Sequence, residues 1–572
     1  MVARARIFFS ILVLGFLVVI IRLFFWQILK GNELAEQASL QYNSSQVVEA
    51  PRGAILASDG SWYCTEKNSW ILFSYLPDIK KDINEIADLL APIIIDKDDQ
   101  NYKKRVYEKA GEIKSQLQRT DTTWVSLEKR LDNDRKEQIE EFSIDGIGFE
   151  GDFIRSYPEA SSAAHLLGFV GKNDKGLNQG YFGLEGYYDL MLSGKSGFVS
   201  RDSDAAGKPL LLGGGVEISS IPGVDLLTHV DKGVQFLIEE KLKDGLEKYG
   251  AVSGTVIVMK PDTGEVIAMA SEPSFDPESY YDYSDDLFRN PVVSDSFEPG
   301  SVFKVIVMAA ALDEGVIEPE TKCEVCSGPY KVDKYFIRTW NDQYHPDSTM
   351  TEVIVNSDNV GMAYIGEKIG SDRLYDYLYD FGFGQLTNID LQGEISVGLR
   401  EKKDWNIVDT ATATFGQGVA VTPIQLITAV SAIANDGTLM TPQVVDKILT
   451  PTRSEDIKPQ VVRRVISEKA ANETTAMMVE AAKSGEAKWT YLRGFGVAGK
   501  TGTAQIPIAG HYDEERTIAS FIGFVPYDDP EFIMLVTLHE PQTSPWSSET
   551  AAPLWYDITE DLILHFGIQP KD

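Results

Sequence analysis

The sequence predicts an α+β fold for the C-terminal part of the chain. Two alternating apolar runs in SGTVIVMKPDTGEVIAMAS flank an Asp-x-Gly turn and predict a β-hairpin. Two runs near the end, TIASFIGFVP and EFIMLVTLHE, predict a second pair of strands. Helical patterns such as SVFKVIVMAAALDEG and TPIQLITAVSAIANDG lie between the two pairs. We therefore expect an antiparallel sheet, built from both ends of a domain, with a helical cluster inserted between its strands.

The first element along the chain is the apolar run Ile7–Leu29, which predicts a transmembrane helix. At 1.5 Å per residue the run would span about 35 Å, enough to cross a bilayer. Arg22 interrupts it about two turns from the far end, where a long side chain can reach the interface. A cleaved signal peptide is the alternative, but the run is long for one and no A-x-A site follows closely. Arg4 and Arg6 precede the run, so we expect a single-pass anchor whose N-terminus stays in the cytoplasm.

The part that follows the anchor is of mixed character. Residues 80–140 are strongly charged and predict helices with solvated faces. The segment 197–223 is rich in glycine, serine and proline and contains Gly213-Gly214-Gly215, so it predicts a domain boundary or a long loop. After it, VDLLTHVDKGVQFLIEEKLKDGLEKYG predicts a short strand and an amphipathic helix, and a final helix is predicted over 551–565.

Composition limits the partners and metals that we expect. The 572 residues carry a net charge of −33, which argues against a nucleic-acid binder because such a protein needs a basic face. The three cysteines are too few for a disulfide framework. The lone C-x-x-C of Cys323 and Cys326 is a surface-loop disulfide, part of a metal site or two plain thiols. A zinc site would need two further ligands, and the sequence has no second C-x-x-C, so we expect no metal.

The stretch GFGVAGKTGTAQ, residues 494–505, fits two different motifs. Its first eight residues match G-x-x-x-x-G-K-[ST], the phosphate-binding loop of nucleotide-hydrolysing enzymes. That loop needs a buried strand before it and a helix after it. The preceding SGEAKWTYLR does not resemble a core strand, and the following glycines and Pro507 oppose a helix. The remaining interpretation is K-T-G, one of three ordered signatures in a group of serine enzymes.

The two signatures that must precede K-T-G are present in order. Ser301-Val-Phe-Lys304 supplies S-x-x-K at the start of an apolar helix, just after a Pro-Gly break. Residues i and i+3 share a helix face, so Ser301 Oγ and Lys304 Nζ can touch. Ser357-Asp-Asn359 supplies S-x-N, and Lys500 begins K-T-G.

Two other stretches fit single signatures and show how weak each one is alone. Ser126-Leu-Glu-Lys129 also fits S-x-x-K, and Lys195-Ser-Gly197 fits a variant of K-T-G. No S-x-N lies between them, and Ser126 falls in a strongly charged segment that predicts a helix. The set that begins at Ser301 is therefore the candidate site.

With this ordered triple, the sequence resembles the class B penicillin-binding proteins, which are monofunctional peptidoglycan transpeptidases. The resemblance covers nearly the whole chain and includes PRGAILASDG at 51–60, RSYPEASSAAHLLG at 155–168, GLEGYYDLMLSGKSG at 183–197, VTPIQLITAVSAIANDG at 421–437 and Ala551-Ala552-Pro553. It departs from the family pattern at Ala57-Ser58, where an Asp-Arg pair is common. It departs again at Ser547–Thr550, where glycines are usual, so the loop bordering the active site is expected to differ.

The resemblance implies an architecture and an activity. The expected segments are a cytoplasmic stub at 1–6, a transmembrane anchor at 7–29, an elongated pedestal of the dimerisation type at 30–222 and a transpeptidase domain at 223–572, outside the cytoplasm. The implied substrates are stem peptides ending in D-Ala-D-Ala, and β-lactams are the implied inhibitors. No cofactor is implied. A multi-pass membrane glycosyltransferase is the implied partner, and roles in division and in elongation both stay open.

The same resemblance implies catalytic roles for five residues. Ser301 is the implied nucleophile, which attacks the carbonyl between two D-alanines to form an acyl-serine. Lys304 is the implied base, provided that burial and the neighbouring Lys500 lower its pKa. Asn359 would orient Lys304 and the substrate amide. Ser357, held by Lys500, would pass a proton to the leaving D-alanine.

Three residues are implied to bind the substrate. The hydroxyls of Thr501 and Thr503 would hold the terminal carboxylate, and Gly502 would let the strand approach the substrate backbone closely. The oxyanion would lie between the backbone N–H groups of Ser301 and Thr503.

Other functions fit part of the pattern. A serine β-lactamase shares the signatures but is secreted, and a D,D-carboxypeptidase would transfer the acyl group to water. A β-lactam receptor would need more membrane helices and a protease motif, for which His539-Glu540 is not continued as H-E-x-x-H. An inactive division scaffold would not need the intact Ser301, Lys304 and Lys500.

Overall fold

The computed structural model describes residues 2–31, 43–97, 101–174, 176–202, 215–508 and 511–571. The chain divides into two compact units. The first comprises Met1–Arg52 and Ser193–Gly223, and the second comprises Gly53–Leu192 and Val224–Asp572. The candidate site lies wholly within the second unit.

The first unit begins with the apolar helix that the sequence predicts. An α-helix covers Val2–Phe24 and continues as one π-helical turn, Phe25–Leu29. The stretch Arg6–Leu29 is long and apolar enough to cross a membrane, and its side chains are exposed along its length. Such a helix is consistent with a single-pass membrane anchor.

A three-stranded antiparallel sheet completes the described part of the first unit and corrects one prediction. Its middle strand, Gly197–Asp202, pairs with Asn43–Val48 on one side and with Gly215–Ile218 on the other. Two of these strands lie in the segment 197–223, which the sequence predicts as a boundary or loop. Short strands stabilised by a distant partner leave little local signal among glycines and serines. Gly213 and Gly214 lie outside the described residues.

Five antiparallel strands in the second unit form the predicted sheet. Their order from one edge is Val266–Glu272, Ser253–Met259, Phe532–His539, His511–Val525 and Ala498–Ile508. The predicted hairpin and the predicted C-terminal strand pair are both confirmed. Along Ser253–Met259, Val256 and Val258 join one apolar cluster while Ile257 and Met259 join another. Both faces of the sheet are therefore covered, as the two-residue period of a strand requires.

Two long helices cover one face of this sheet. The helices are Lys232–Tyr249 and Ala551–Phe566, and both were predicted. Ile238 from the first and Trp555 from the second are buried in the cluster that contains Val256. The indole N–H of Trp555 donates to the backbone of the strand beneath it at 2.9 Å.

The other face carries the inserted helical cluster. Its central helix, Lys304–Asp313, is buried from Lys304 to Leu312, as expected of a helix that is apolar all round. We call it the Lys304 helix. The other helices of the cluster are Pro291–Ser294, Met350–Val355, Asn359–Ile369, Ser371–Asp380, Ile407–Ala413, Pro423–Ala434 and Glu468–Ser484.

A second, seven-stranded sheet corrects another prediction. Its order is Ser454–Asp456, Val445–Leu449, Asp225–Thr228, Ile55–Leu56, Trp62–Tyr75 and Trp124–Leu131, with Ile147–Ser156 also pairing with Trp62–Tyr75. The helices Ile83–Ile94, Tyr102–Leu117 and Asn133–Glu140 lie in the charged region 80–140, as predicted. The same region also contains the strand Trp124–Leu131, so Ser126 is not on a helix. Val125 and Leu127 are buried on alternate positions, and this short alternation is hidden by the surrounding charges.

Short elements complete the second unit. They are the helices Ala164–Leu167, Gly183–Tyr187 and Asp189–Leu192 and the strand pairs Phe169–Lys172 with Asn178–Tyr181, Tyr330–Val332 with Tyr335–Ile337 and Thr438–Met440 with Val461–Arg464. Single 3-10 turns cover Leu76–Asp78, Pro277–Asp282, Asp285–Phe288, Gly300–Phe303, Lys402–Asp404, Lys488–Thr490 and Ser547–Glu549.

Candidate active site

The turn Gly300–Phe303, which carries Ser301, lies against an edge strand of the five-stranded sheet. It is a 3-10 turn that runs directly into the Lys304 helix. Gly300 has φ +58°, and a Cβ there would lie 2.8 Å from the carbonyl oxygen of Thr503 in the strand Ala498–Ile508. Glycine avoids both the strain of the left-handed backbone and this clash. The Pro-Gly break in the sequence thus places Ser301 beside the strand that carries K-T-G.

Gly502 allows the same close approach from the side of the strand. A Cβ at Gly502 would lie 2.6 Å from Ser520 Oγ and 2.7 Å from Val302 Cγ1. The resemblance implies a glycine here for the approach of a substrate backbone. The structure shows a further reason, since the Ser301 turn itself packs against this glycine.

The Ser301 hydroxyl is partly exposed. Within the described residues it has no hydrogen-bond partner, and none is formed with Lys304 Nζ although the spacing allows one. The lysine amine hydrogen-bonds instead to Ser357 and Asn359, in the S-x-N turn. The contact with Asn359 is one that the family resemblance implies, whereas the contacts of Lys304 with Ser357 are not predicted from the sequence.

Lys304 is fully buried among hydrogen-bond acceptors. Its Nζ lies 2.6 Å from Ser357 O, 2.7 Å from Asn359 Oδ1 and 3.1 Å from Ser357 Oγ. Burial, assisted by the positive charge of Lys500, lowers the pKa of Lys304 to about 7. The expected direction of this shift, and both of its causes, are confirmed. The neutral amine is therefore accessible near neutral pH.

The neutral amine of Lys304 suits its three partners by donor count. A neutral amine has two N–H groups and one lone pair, whereas an ammonium has three N–H groups. The two N–H groups can serve Ser357 O and Asn359 Oδ1, which leaves the lone pair for the Ser357 O–H proton. The ammonium would donate to all three oxygens instead. A proton can therefore move between Lys304 and Ser357 without leaving a buried partner unsatisfied.

Ser357 lies in a strained turn that aims its hydroxyl between two lysines. Its φ is +52°, in the left-handed region. Such a position costs a non-glycine residue on the order of 1–3 kcal/mol, and this kind of strain is often found at functional sites. The next residue, Asp358, caps the helix Asn359–Ile369 and fixes the end of the turn. Ser357 Oγ lies 3.1 Å from Lys304 Nζ and 3.1 Å from Lys500 Nζ.

Lys500 approaches Ser357 from the edge strand and is itself held by Thr501. It is 3% exposed, and its Nζ also lies 3.1 Å from Thr501 Oγ1. Burial lowers the pKa of Lys500, and the negative charge of Glu486 opposes that shift. Thr501 Oγ1 in turn donates to Glu486 Oε2 at 2.6 Å.

The Thr503 hydroxyl is held by the loop that precedes the final helix. It donates to Ser547 Oγ at 3.0 Å and accepts from Ser547 N at 3.1 Å. Trp546, next to this serine, packs its ring against Trp340 with centroids 5.0 Å apart. The departure from the family pattern at 547–550 therefore lies in direct contact with the site.

The structure brings the predicted residues into one region and adds two others. The eight predicted residues are Ser301, Lys304, Ser357, Asn359, Lys500, Thr501, Gly502 and Thr503. Glu486 gives no signal in the sequence, because its contact with Thr501 is made only by the fold. Ser547 gives one, because serines replace the usual glycines there.

The cysteine pair is resolved as a disulfide between Cys323 and Cys326. Both residues are buried, so the pair is not on the surface of a loop. The loop packs into the core because its apolar neighbours belong to the large cluster around the Lys304 helix. Over the ranges that the structure describes, no group of three or more His, Cys, Asp or Glu side chains could hold a metal ion.

The fold and the serine–lysine site define a penicillin-recognising serine enzyme, and comparison with known proteins identifies the family. The penicillin binding protein transpeptidase domain family matches residues 254–560. The penicillin-binding protein dimerisation domain family matches residues 47–228. The chain belongs to the penicillin-binding proteins, in their class B.

Relatives over the full length support this assignment. Stage V sporulation protein D of Bacillus subtilis (strain 168) is 33% identical over 576 residues, which cover 99% of this chain and 87% of that protein. The probable peptidoglycan D,D-transpeptidase PenA of Neisseria gonorrhoeae is 27% identical over 583 residues, 100% of this chain and 94% of that one. Among solved structures, penicillin-binding protein 2X from Streptococcus thermophilus has a TM-score of 0.76 at 24% identity, covering 92% of this chain and 81% of its own. That likeness shows the shared fold.

Proposed function

We propose that this chain is a peptidoglycan D,D-transpeptidase that crosslinks stem peptides through an acyl-serine at Ser301. The observation that carries the proposal is the buried arrangement of Lys304, Ser357 and Lys500 beside Ser301, whose hydroxyl has no hydrogen-bond partner among the described residues. Relatives at 27% and 28% identity are named peptidoglycan D,D-transpeptidases, in Neisseria gonorrhoeae and Escherichia coli.

Acylation begins with Ser301. Its oxygen attacks the carbonyl carbon between the two D-alanines, and its proton passes to neutral Lys304. Since the Lys304 amine contacts Ser357 and Asn359 and forms no hydrogen bond with Ser301 among the described residues, this transfer needs the Ser301 hydroxyl and the amine to come within hydrogen-bond distance when substrate binds. The oxyanion is then held by the backbone N–H groups of Ser301 and Thr503, and loss of one such donor typically costs about 2.7–4 kcal/mol.

Collapse of the oxyanion breaks the peptide bond. Ser357 gives its proton to the nitrogen of the leaving D-alanine and recovers one from Lys304. The two lysine contacts to Ser357 Oγ occupy its lone pairs, so its own proton is left for donation. An amine of a neighbouring stem then attacks the ester carbonyl and forms the new peptide bond, the bond to Ser301 Oγ breaks, and the proton that the amine loses passes through Lys304 to Ser301. Attack by water instead would give D,D-carboxypeptidase activity.

The edge strand would bind the donor peptide. The hydroxyls of Thr501 and Thr503 would receive the terminal carboxylate and exchange their present contacts with Glu486 and Ser547 for it. Gly502, between them, keeps the strand free of a side chain. β-Lactams would enter the same place, since penicillin-binding protein 3 of Mycobacterium tuberculosis, similar in fold with a TM-score of 0.70, was solved with aztreonam.

The anchor would fix the topology and the partner. The apolar run Ile7–Leu29 would cross the membrane, leave residues 1–6 in the cytoplasm and carry the rest of the chain outside. We expect the segments 30–222 and 223–572 to act as pedestal and transpeptidase domain. A multi-pass membrane glycosyltransferase, contacting the anchor and pedestal, would supply the glycan strands.

The test is covalent labelling of the membrane-embedded full chain with a fluorescent penicillin. We expect saturable labelling of the wild type, loss of the label in Ser301→Ala and full label in Ser126→Ala, which changes the other S-x-x-K. A folded wild type that takes no label would favour the inactive scaffold. A D-Ala-D-Ala donor offered with a peptide amine then separates the enzymatic alternatives, because a transpeptidase gives the amide and a carboxypeptidase or β-lactamase gives only the acid.

A further inference from the structure

Glu486 is an acidic residue that touches the candidate site but carries none of the roles assigned above. It follows the helix Glu468–Ser484 and is partly buried. It lines a cavity of about 210 Å³ together with Asp358 and His345. Its carboxylate accepts a hydrogen bond from the Thr501 hydroxyl at 2.6 Å. The oxygen of the same hydroxyl accepts a hydrogen bond from Lys500 Nζ.

We propose that Glu486 is a positioning residue of the acyl-transfer site, which fixes the Thr501 hydroxyl against Lys500 until substrate binds and supplies negative charge to the two buried lysines throughout. This inference rests on the proposed function.

Geometry gives the first argument. The threonine hydroxyl has one proton and two lone pairs. Because the proton is donated to Glu486, a lone pair of the same oxygen is turned towards Lys500. Without the carboxylate the hydroxyl can rotate, and the contact that holds Lys500 beside Ser357 is weakened.

Charge gives the second argument. Lys304 and Lys500 both point at Ser357 Oγ, so two cations would meet at one buried oxygen. The charged and titratable groups that face these lysines are Glu486, on the segment after the helix Glu468–Ser484, and Asp358, in the S-x-N turn. His345 lines the same cavity as Glu486. Of these groups, Glu486 is linked to Lys500 through a single hydroxyl.

The charge of Glu486 shifts the pKa values of Lys304 and Lys500 in the same direction. The negative charge of Glu486 raises the pKa of Lys304 and that of Lys500, against burial, which lowers both. Removing the charge therefore makes Lys304 neutral at lower pH, and it makes Lys500 lose its proton at lower pH as well. If Lys304 acts as the base and Lys500 as the required cation, both limbs of the pH profile of acylation move towards acid.

The experiment measures the pH profile of penicillin acylation for the full chain in wild type, Glu486→Gln and Glu480→Gln. Glutamine keeps the shape and an acceptor oxygen but removes the charge. Glu480 is the matched control because it is exposed on the preceding helix, where it contacts only Ser484 among the side-chain hydrogen bonds described. Thermal unfolding of each variant shows that it is folded.

We expect the Glu486→Gln profile to move towards acid by on the order of one pH unit, with a several-fold lower maximum. The Glu480→Gln profile should coincide with that of the wild type. A Glu486→Gln profile superposed on the wild type, or a lower maximum without any shift, overturns the inference while leaving Ser301 acylation intact. Failure of the proposed function looks different, because the wild type itself would then take no label.

Discussion

Two stretches of this chain have the spacing S-x-x-K, and the structure gives them opposite surroundings. Ser126 and Lys129 lie on the strand Trp124–Leu131, where three residues of extended chain separate them by about 10 Å along the strand. Ser301 and Lys304 lie on one turn that leads into a core helix, where the same separation puts both side chains on one side. The spacing alone therefore says nothing about contact until the element is known.

The two lysines also differ in how far they are buried. Lys129 is exposed, whereas Lys304 has no exposed surface and three oxygen atoms around its amine. A buried amine is a weaker base than one in water, because its charged form loses hydration. The pKa that allows a lysine to transfer protons is therefore set by the buried residues around it, and a four-residue motif does not contain those residues.

The largest expected difference between the two lysines is in the rate of penicillin acylation after each amine is removed. Lys304→Met keeps the volume and apolar stem of the side chain but removes the base, so we expect penicillin acylation to slow by about 10²–10⁴-fold. Lys129→Met, the matched change at the exposed lysine, should alter the rate by less than about twofold. A time course of penicillin labelling, quenched at successive times, measures both rates. Equal rates in the two variants would remove Lys304 from the proposed chemistry.

The next effect is a pH dependence that only the buried lysine should produce. Lys304 must be neutral to accept a proton, and its pKa is lowered to about 7. Acylation should therefore level off just above pH 7, before the alkaline limb set by Lys500, and fall about tenfold per unit below pH 7, to roughly a hundredth at pH 5. The measurement is the labelling rate between pH 5 and 8. Lys129→Met should reproduce the wild-type limb, and a flat profile in the wild type would contradict a base with this pKa.

Much of the fold could be predicted because its elements are periodic. The hairpin of Ser253–Met259 and Val266–Glu272 and the two helices on one face of the sheet have complete apolar patterns that match how they are buried. The strand Trp124–Leu131 was predicted wrongly as part of a helix. Three charged residues follow one another at 128–130, and they outweigh the short alternation of buried Val125 and Leu127. The strands in 197–223 were missed because they are short, lie among glycines and serines, and join a sheet whose third strand, Asn43–Val48, is distant in sequence.

The candidate site likewise has features that the sequence predicts and features that depend on the fold. Ser301, Ser357 and Lys500 were predicted because three signatures in order are improbable by chance, and the fold brings all three together. The direction of the Lys304 amine towards Ser357 was not predicted, since spacing fixes neighbours along a helix and not the acceptors on another element. Glu486 belongs to this second kind, because its contact depends on how the fold brings a helix end to a strand.

The smallest effect tests the packing that separates the two S-x-x-K regions. Gly502→Ala introduces a Cβ that would lie 2.7 Å from Val302 Cγ1 and 2.6 Å from Ser520 Oγ, so the Ser301 turn must shift. We expect the free energy of unfolding to fall by about 1–3 kcal/mol, typical of overpacking, and acylation to slow with it. Thermal or denaturant unfolding of the full chain in detergent measures the first, and labelling measures the second.

The matched control lies beside the other S-x-x-K. Gly111 is exposed within the helix Tyr102–Leu117, and a Cβ there would meet no atom within 4 Å. Gly111→Ala should therefore raise the free energy of unfolding by about 0.5–1 kcal/mol, because alanine has the higher helix propensity, and it should leave acylation unchanged. If the free energy of unfolding falls in Gly502→Ala and rises in Gly111→Ala, the absence of a side chain at Gly502 is needed for packing around Ser301. If Gly502→Ala were as stable and as active as the wild type, the close contact between turn and strand would not be what positions the serine.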